Sequence, residues 1–153
     1  WKRPDVETVI LRPAHVAGDV RGAMARYLRF SPVPRLLGYD PMIQLVHEED
    51  VVQALRLALA PGHRGIFNIA GPAPLPLSRI LARLGRETVP VPHFLAKPAI
   101  AKLERLGRVA IHPGYVDYVR YVCMVDDARA RAELGYAPRA GLDETIAAVD
   151  LWE

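Results

Sequence analysis

Apolar residues in this chain fall into short unbroken runs separated by stretches of helical period. The sharpest run, Thr8-Val9-Ile10-Leu11, is closed by Arg12-Pro13 and a small-residue segment ending at Gly18. Three consecutive apolar side chains without polar alternation predict a strand over 7–11 that is covered on both faces, as in a parallel α/β sheet. In such sheets the loop beyond the strand's carboxyl end faces ligands. A second run, GIFNIAG at 65–71, repeats the pattern with one Asn inside it.

Between and after these runs the period changes. Val20, Met24, Tyr27 and Leu28 share a face in a helix predicted over 19–30 and ended by Pro32 and Pro34. Two short strands are expected at 35–38 and 42–46, with Tyr39-Asp40-Pro41 as the turn. A helix then opens on Glu48, Glu49 and Asp50, where acidic groups suit the dipole. Its expected core face is Val51, Ala54, Leu55 and Ala58, and Pro61-Gly62 stops it. Together with 65–71 this reads as a crossover unit.

Ser78 is the expected cap of a helix over 79–84, and 88–92 is a Pro-limited edge strand. Residues 94–106 form an amphipathic helix with Leu95, Ala99, Lys102 and Leu106 in one row, assigned to core packing. Residues 114–125 read either as a helix followed by a strand or as one bent segment. Asp126 or Asp127 caps a helix through Leu134, ended by Gly135. A last helix over 142–152 gathers Leu142, Ile146, Val149 and Trp152. Alternating helices and strands define an α/β fold.

Composition narrows the function. The chain has 153 residues, 51% hydrophobic and 24% charged, an ordinary globular balance. Its single cysteine, Cys123, excludes an intrachain disulfide and a cysteine metal cluster, and points to a reducing, cytoplasmic setting. The five histidines have no HxH or HxxxH spacing, so no metal site is expected. Seventeen of the twenty basic residues are Arg, scattered rather than clustered, which argues against nucleic acid as a partner. No run approaches a membrane span, so no membrane partner is expected. The chain begins at Trp1 rather than Met, and the expectation is a truncation, a processing point or an artificial start.

Four segments, in order, carry a resemblance: VILRPAHVAG, IQLVHEEDVVQAL, GIFNIAG and DDARARAELGYAPRAGLDETI. Together they resemble the C-terminal half of extended short-chain dehydrogenase/reductases. This is the NAD-dependent epimerase/dehydratase family, and the wording is most similar to its UDP-glucose 4-epimerase-like branch. The resemblance spans Val9 to Trp152. It implies a single partial domain, the C-terminal part of an extended Rossmann-type fold. In it, 7–18 and 65–71 supply strands of the cofactor sheet and the remainder is mostly the substrate-binding lobe.

The resemblance also implies roles. Pro13 and Ala14 would lie by the nicotinamide of NAD or NADP, their backbone fixing the ring. His15 stands where sugar-nucleotide epimerases carry a substrate-touching Asn, and Arg120 is the candidate substrate-side arginine for a phosphate. His47 and Asp50 would be structural, joining the substrate lobe to the cofactor sheet, and Asn68 would sit within a sheet strand. The implied substrate is a nucleotide sugar. The implied partners are a second copy or an N-terminal Rossmann half.

Two family features are not in this sequence. One is the Gly-rich dinucleotide motif. The other is the Tyr–x–x–x–Lys pair, in which Lys lowers the Tyr pKa so that the phenolate takes a proton as hydride leaves. None of the six tyrosines has Lys four residues on. Ile43 and Gln44 also stand where epimerases place an arginine on the diphosphate. The expectation is a chain with no catalytic residue of its own, inactive alone. Alternatively, it is a non-catalytic module that completes a separate Rossmann-bearing chain.

Overall fold

Strand β1, Val9–Pro13, pairs in parallel with β6, Gly65–Ile69, so that Ile10 faces Ile66 and Arg12 faces Asn68. Between them in the sequence lie β2 (His15–Ala17), β3 (Val33–Leu36), β4 (Met42–Ile43) and β5 (Leu45–His47). Further strands are β7 (Leu75–Pro76) and β8 (Thr88–Val91). The helices are α1 (Ala23–Leu28), α2 (Glu48–Ala58), α3 (Leu77–Arg83), α4 (His93–Arg105), α5 (Ala128–Leu134) and α6 (Leu142–Ala147). This is a computed structural model, and it describes residues 6–20, 22–107, 112–122 and 124–151. Arg21, Cys123, Trp152 and the polar segment 1–5 lie outside the described residues.

The chain divides into two compact units. The first comprises Trp1–Val20, Gln44–Pro74 and Met124–Glu153, and the second Arg21–Ile43 and Leu75–Cys123. In the first unit β1 pairs with β6 and β2 with β5, both in parallel. Alternate residues of a strand point to opposite faces. Phe67 and Ile69, with Val9 and Leu11 beside them, therefore pack on Val46, Ala54, Ala130, Leu134 and Tyr136.

The other face differs from expectation. Ile10 is 38% exposed and Arg12 is exposed, so β1 is covered on one face among the described residues, not on two. The reason is that α2 and α5 supply the core on the Leu11 and Phe67 side. The free edge of β6 is closed by a side chain instead of a strand. Arg129 donates to the carbonyls of Ile66 and Arg64, both at 3.2 Å, while Glu133 holds its guanidinium at 2.7 and 3.0 Å. A blocked edge of this kind does not template further strand pairing.

Helix α2 forms where the acidic run predicts it, but its cap is His47, whose Nδ1 accepts from the Glu49 N–H at 3.2 Å. Ala54 is buried as expected, whereas Leu55 is 52% exposed. Gly135 ends α5 in the left-handed region at φ 67°, as predicted; the N-cap is Asp127, which makes no side-chain cap bond, and Asp126 Oδ1 instead accepts from the Ala128 N–H at 2.9 Å. The last helix is shorter than 142–152: α6 tightens into a 3-10 turn at Ala148–Asp150, with Ile146 and Val149 buried.

In the second unit β3 pairs in parallel with β8, and β4 pairs antiparallel with β7. The two strands expected around Tyr39-Asp40-Pro41 therefore do not pair with each other; each takes a partner from a later segment. Helix α1 covers less than 19–30, but Met24, Tyr27 and Leu28 are buried as the period requires. Ser78 does not cap α3. It lies inside the helix, and the carboxylate of Asp40 receives its N–H at 2.8 Å and its hydroxyl at 2.6 Å. The cap thus comes from 38 residues away, where local sequence cannot signal it. Residues 113–117 form a short 3-10 helix, residues 118–120 are turn and Tyr121 a bend, so the short helix is present but no strand follows it among the described residues.

Helix α4 forms as expected, but in a different phase. Ala96 is its buried residue, packed with Leu36 and Val116 and flanked by Val91 and Ile100. The predicted core row is outside: Leu95 is 49% exposed and Leu106 61%.

Candidate functional site

The carboxyl end of β1 runs through Pro13 and Ala14 into β2, which sequence reading took for a loop. Ala14 donates its N–H to the Ile69 carbonyl at 2.8 Å, and His15 donates its own to the Gln44 carbonyl at 3.2 Å. Pro13 has no N–H and is exposed. The segment is thus held by β6 on one side and by Gln44, just before β5, on the other. The amide donors of Ala14 and His15 are therefore engaged and Pro13 has none, which leaves no free backbone N–H at residues 13–15.

His15 is partly buried, and that burial lowers its pKa below the ordinary 6.5. The imidazole is therefore neutral near pH 7. The sign follows from linkage: unfolded His15 binds a proton as the pH falls through 6.5 while the folded form resists it. Its stabilising contribution is complete above that pH and is lost as the pH drops toward the folded-state value. Urea midpoints measured from about pH 7.5 to 5.5 are expected to fall more for the native chain than for His15→Gln. Equal falls would show that His15 does not titrate differently on folding.

Gln44 is a residue whose role sequence reading missed. It is 8% exposed, and its Oε1 accepts from the Val125 N–H at 2.9 Å. The signal was available, since Gln44 is the lone polar residue in the run MIQLV. Ile43 is fully buried, so neither residue is presented to a diphosphate. Asp50, 2% exposed, accepts from the Arg139 N–H at 2.8 Å. Both Asp50 and Arg139 belong to the first unit. The structural role expected for His47 and Asp50 is therefore local: one caps α2, and the other pins the segment after Tyr136.

In the second unit, the stretch from Arg35 to Asp40 and Pro90 line a cleft of about 250 Å³ at the end of β3. Gly38 turns the chain there at φ 80°. Beside it, the Arg120 guanidinium lies 5.1 Å from the ring centre of Tyr39 and 5.0 Å from that of Tyr121. The Arg120 Nε is buried without a hydrogen-bond partner. The nearby carboxylate, Asp117, is taken by Lys97 at 3.0 Å. A guanidinium set against two aromatic rings is suited to a phosphate or carboxylate. Tyr39 and Arg35 were not singled out from sequence, where GYD read only as a turn.

The structure therefore places Pro13, Ala14 and His15 together in one unit and Arg120 in the other. Among the described residues no group of three or more His, Cys, Asp or Glu side chains could hold a metal ion. Likewise no described helix is long and apolar enough to cross a membrane.

Comparison with known proteins follows the same outline. No family model matches the sequence. An uncharacterized protein of Mycobacterium tuberculosis is 37% identical over 140 residues, covering 90% of this chain and 37% of that one. Its counterpart in Mycobacterium bovis matches to the same extent. The fold matches the UDP-glucose 4-epimerase of Thermotoga maritima, solved with UDP-glucose, at a TM-score of 0.67 and 20% identity over 98% of this chain and 47% of that one. It also matches the UDP-glucuronic acid 4-epimerase of Bacillus cereus, solved with UDP-glucuronic acid and NAD, at 0.67 and 16% identity, covering 98% and 46%. The chain thus spans 37% of the length of its curated relatives. It has the mixed α/β fold of rather less than half of an epimerase of this Rossmann type.

Proposed function

We propose that this chain is the substrate-binding portion of an NAD(P)-dependent sugar-nucleotide epimerase/dehydratase-type protein. The supporting observation is that the fold match runs through 98% of the chain yet covers only 47% of a UDP-glucose 4-epimerase, with the four sequence motifs in order along it. In this reading Pro13 and Ala14 contact the nicotinamide. A flat ring suits the exposed Pro13. His15, neutral near pH 7, and Arg120 contact the substrate, Arg120 at a phosphate. The residues fit the nicotinamide end of the cofactor and not its diphosphate, for which this sequence has no glycine cradle. When bound, NAD or NADP supplies the acceptor and donor of a hydride. This chain's part is to hold the sugar nucleotide and shape the surface under the ring.

The test is calorimetric titration of UDP-glucose and UDP-glucuronic acid into the protein carrying this segment. Replacing Arg120 by Ala removes a charge-assisted contact, so affinity is expected to fall about tenfold or more. Unchanged affinity would remove Arg120 from the site. The isolated chain with NAD and either sugar nucleotide is expected to show no turnover; turnover would refute the reading that catalysis needs residues outside it.

A second reading is favoured by one observation. Ile10, Val52, Leu55 and Leu59 in the first unit are 38, 45, 52 and 83% exposed. Such exposed side chains suit a module that completes a separate chain bearing the Rossmann half. Co-purification with a distinct cofactor-binding chain would support it, and a single polypeptide containing both halves would overturn it.

A further inference from the structure

Helix α4 is long for this fold, yet it buries little. Ala96 is its one buried residue, and Ile100 packs beside it. Leu95, Ala99, Leu103 and Leu106, at positions i, i+4, i+8 and i+11, lie within about 80° of one another around the helix and along roughly 16 Å of its axis. Leu95, Leu103 and Leu106 are 49, 37 and 61% exposed, and Phe94 at the amino end is 66% exposed. The result is a leucine stripe with no cover among the described residues.

Charge around the stripe is sorted by sign. Lys102 borders it directly on the helical wheel and Arg105 lies further round on the same flank, past Pro98, both exposed. The anions lie elsewhere. Glu104 projects from the opposite side of the helix, and Asp117 is tied to Lys97, also on that side, at 3.0 Å. The 3-10 turn Pro113–Asp117, packed on α4 through Val116 and Ala96, carries Tyr115, which is 43% exposed, and Tyr118 just beyond it is 46% exposed. An exposed leucine stripe with cations on its border and tyrosines nearby matches a helix lying in the headgroup plane of a bilayer. There the stripe enters the acyl boundary and the long cationic side chains reach phosphates. A second copy is a poorer cover, because an isologous contact through this stripe sets Lys102 and Arg105 of both copies side by side.

We propose that α4 docks this protein on an anionic membrane surface through Leu95, Leu103 and Leu106, with Lys102 and Arg105 on lipid phosphates. This is independent of the sugar-nucleotide reading and reverses the sequence-based assignments of the helix to the core and of no membrane partner.

The experiment is co-sedimentation of the full-length protein with vesicles of phosphatidylcholine alone or of phosphatidylcholine mixed equally with phosphatidylglycerol. Binding is expected on the anionic vesicles only and should weaken as salt is raised. Both leucines are exposed, so Leu95→Glu with Leu106→Glu should keep the circular dichroism of the native protein. Binding is expected to fall at least about tenfold in that variant. Lys102→Glu with Arg105→Glu should also lower it and remove the salt dependence. No binding to anionic vesicles, or equal binding by the leucine variant, overturns the proposal. So does a concentration-dependent dimer that the leucine variant abolishes, since a second copy is then the cover.

Discussion

Replacing Gly71 by Ala is expected to destabilise the first unit by roughly 2–4 kcal/mol, read as a lower urea midpoint. Gly71 does not owe its place to a left-handed backbone. It owes it to space: a Cβ there would run into the carbonyl oxygen of Leu45 and lie 3.2 Å from its carbon. These are backbone atoms of β5, and they cannot yield as a side chain would. Leu45 pairs with His15 across the β2–β5 ladder, and its carbonyl accepts the Gly71 N–H at 3.1 Å. Relieving the clash therefore strains the ladder and breaks a buried hydrogen bond. Overpacking of about 1–3 kcal/mol and a lost bond of about 1 kcal/mol add to a sizeable fraction of a domain's stability of roughly 5–15 kcal/mol. The comparison variant is Gly22→Ser, where nothing lies within 4 Å of the added Cβ and the position caps α1. There a serine cap is expected to be neutral or slightly stabilising. A Gly71→Ala midpoint equal to that of the native chain would mean that β5 and the segment after β6 are not in this contact.

Tyr136→Ala is expected to lower stability by about 3–5 kcal/mol, and Tyr136→Phe by about 1–2 kcal/mol. Tyr136 is 2% exposed and closes the core formed by Phe67, Ile69, Ala130 and Leu134. Its hydroxyl donates to the Ala70 carbonyl at 2.8 Å. Alanine opens a ring-sized cavity, whereas phenylalanine keeps the packing and leaves one buried carbonyl without its donor.

The same burial separates the two variants at high pH. It raises the Tyr136 pKa above the ordinary 10.0, and the negative charges of Asp50 and Asp127 add to the rise. The unfolded phenol loses its proton near 10 while the folded one keeps it, so the contribution is present below that pH and is lost as the pH climbs through it. Burial raises Tyr27 in the same direction, so the difference between the native chain and Tyr136→Phe is the quantity to measure. The Phe variant should lose less stability between about pH 9 and 11. Parallel losses would place the alkaline sensitivity elsewhere.

Both predictions concern positions that carried no local signal of their importance. In sequence, Gly71 was one end of an apolar run, and Tyr136 was part of a motif near the carboxyl end. What made them critical is which segments meet there. The candidate site shows the same division. That the segment after Leu11 leaves a strand end was readable from Pro13 and Gly18, and the strand itself from three apolar residues in a row. That His15 begins another strand, β2, was not, because His15-Val16-Ala17 has no strong strand character of its own. It is extended because Leu45–His47 lies alongside. Arg120 was placed by resemblance, whereas the rings of Tyr39 and Tyr121 on which it rests became visible only when segments 81 residues apart in sequence number met.

By itself the sequence determined the local pieces. Branched apolar runs made β1 and β6 strands, Glu48 to Asp50 and Pro61-Gly62 bounded α2, Gly135 ended α5, and alternation of the two periods set the α/β class. Each depends on interactions within a few residues of chain, which composition and spacing record directly. Tertiary structure decided the partners: β1 with β6, β3 with β8, Asp40 as the cap of α3, and Ala96 rather than Leu95 as the buried side of α4. An amphipathic period states only that a helix has two faces. Which face is buried depends on what else packs against it, and that is a property of the folded chain.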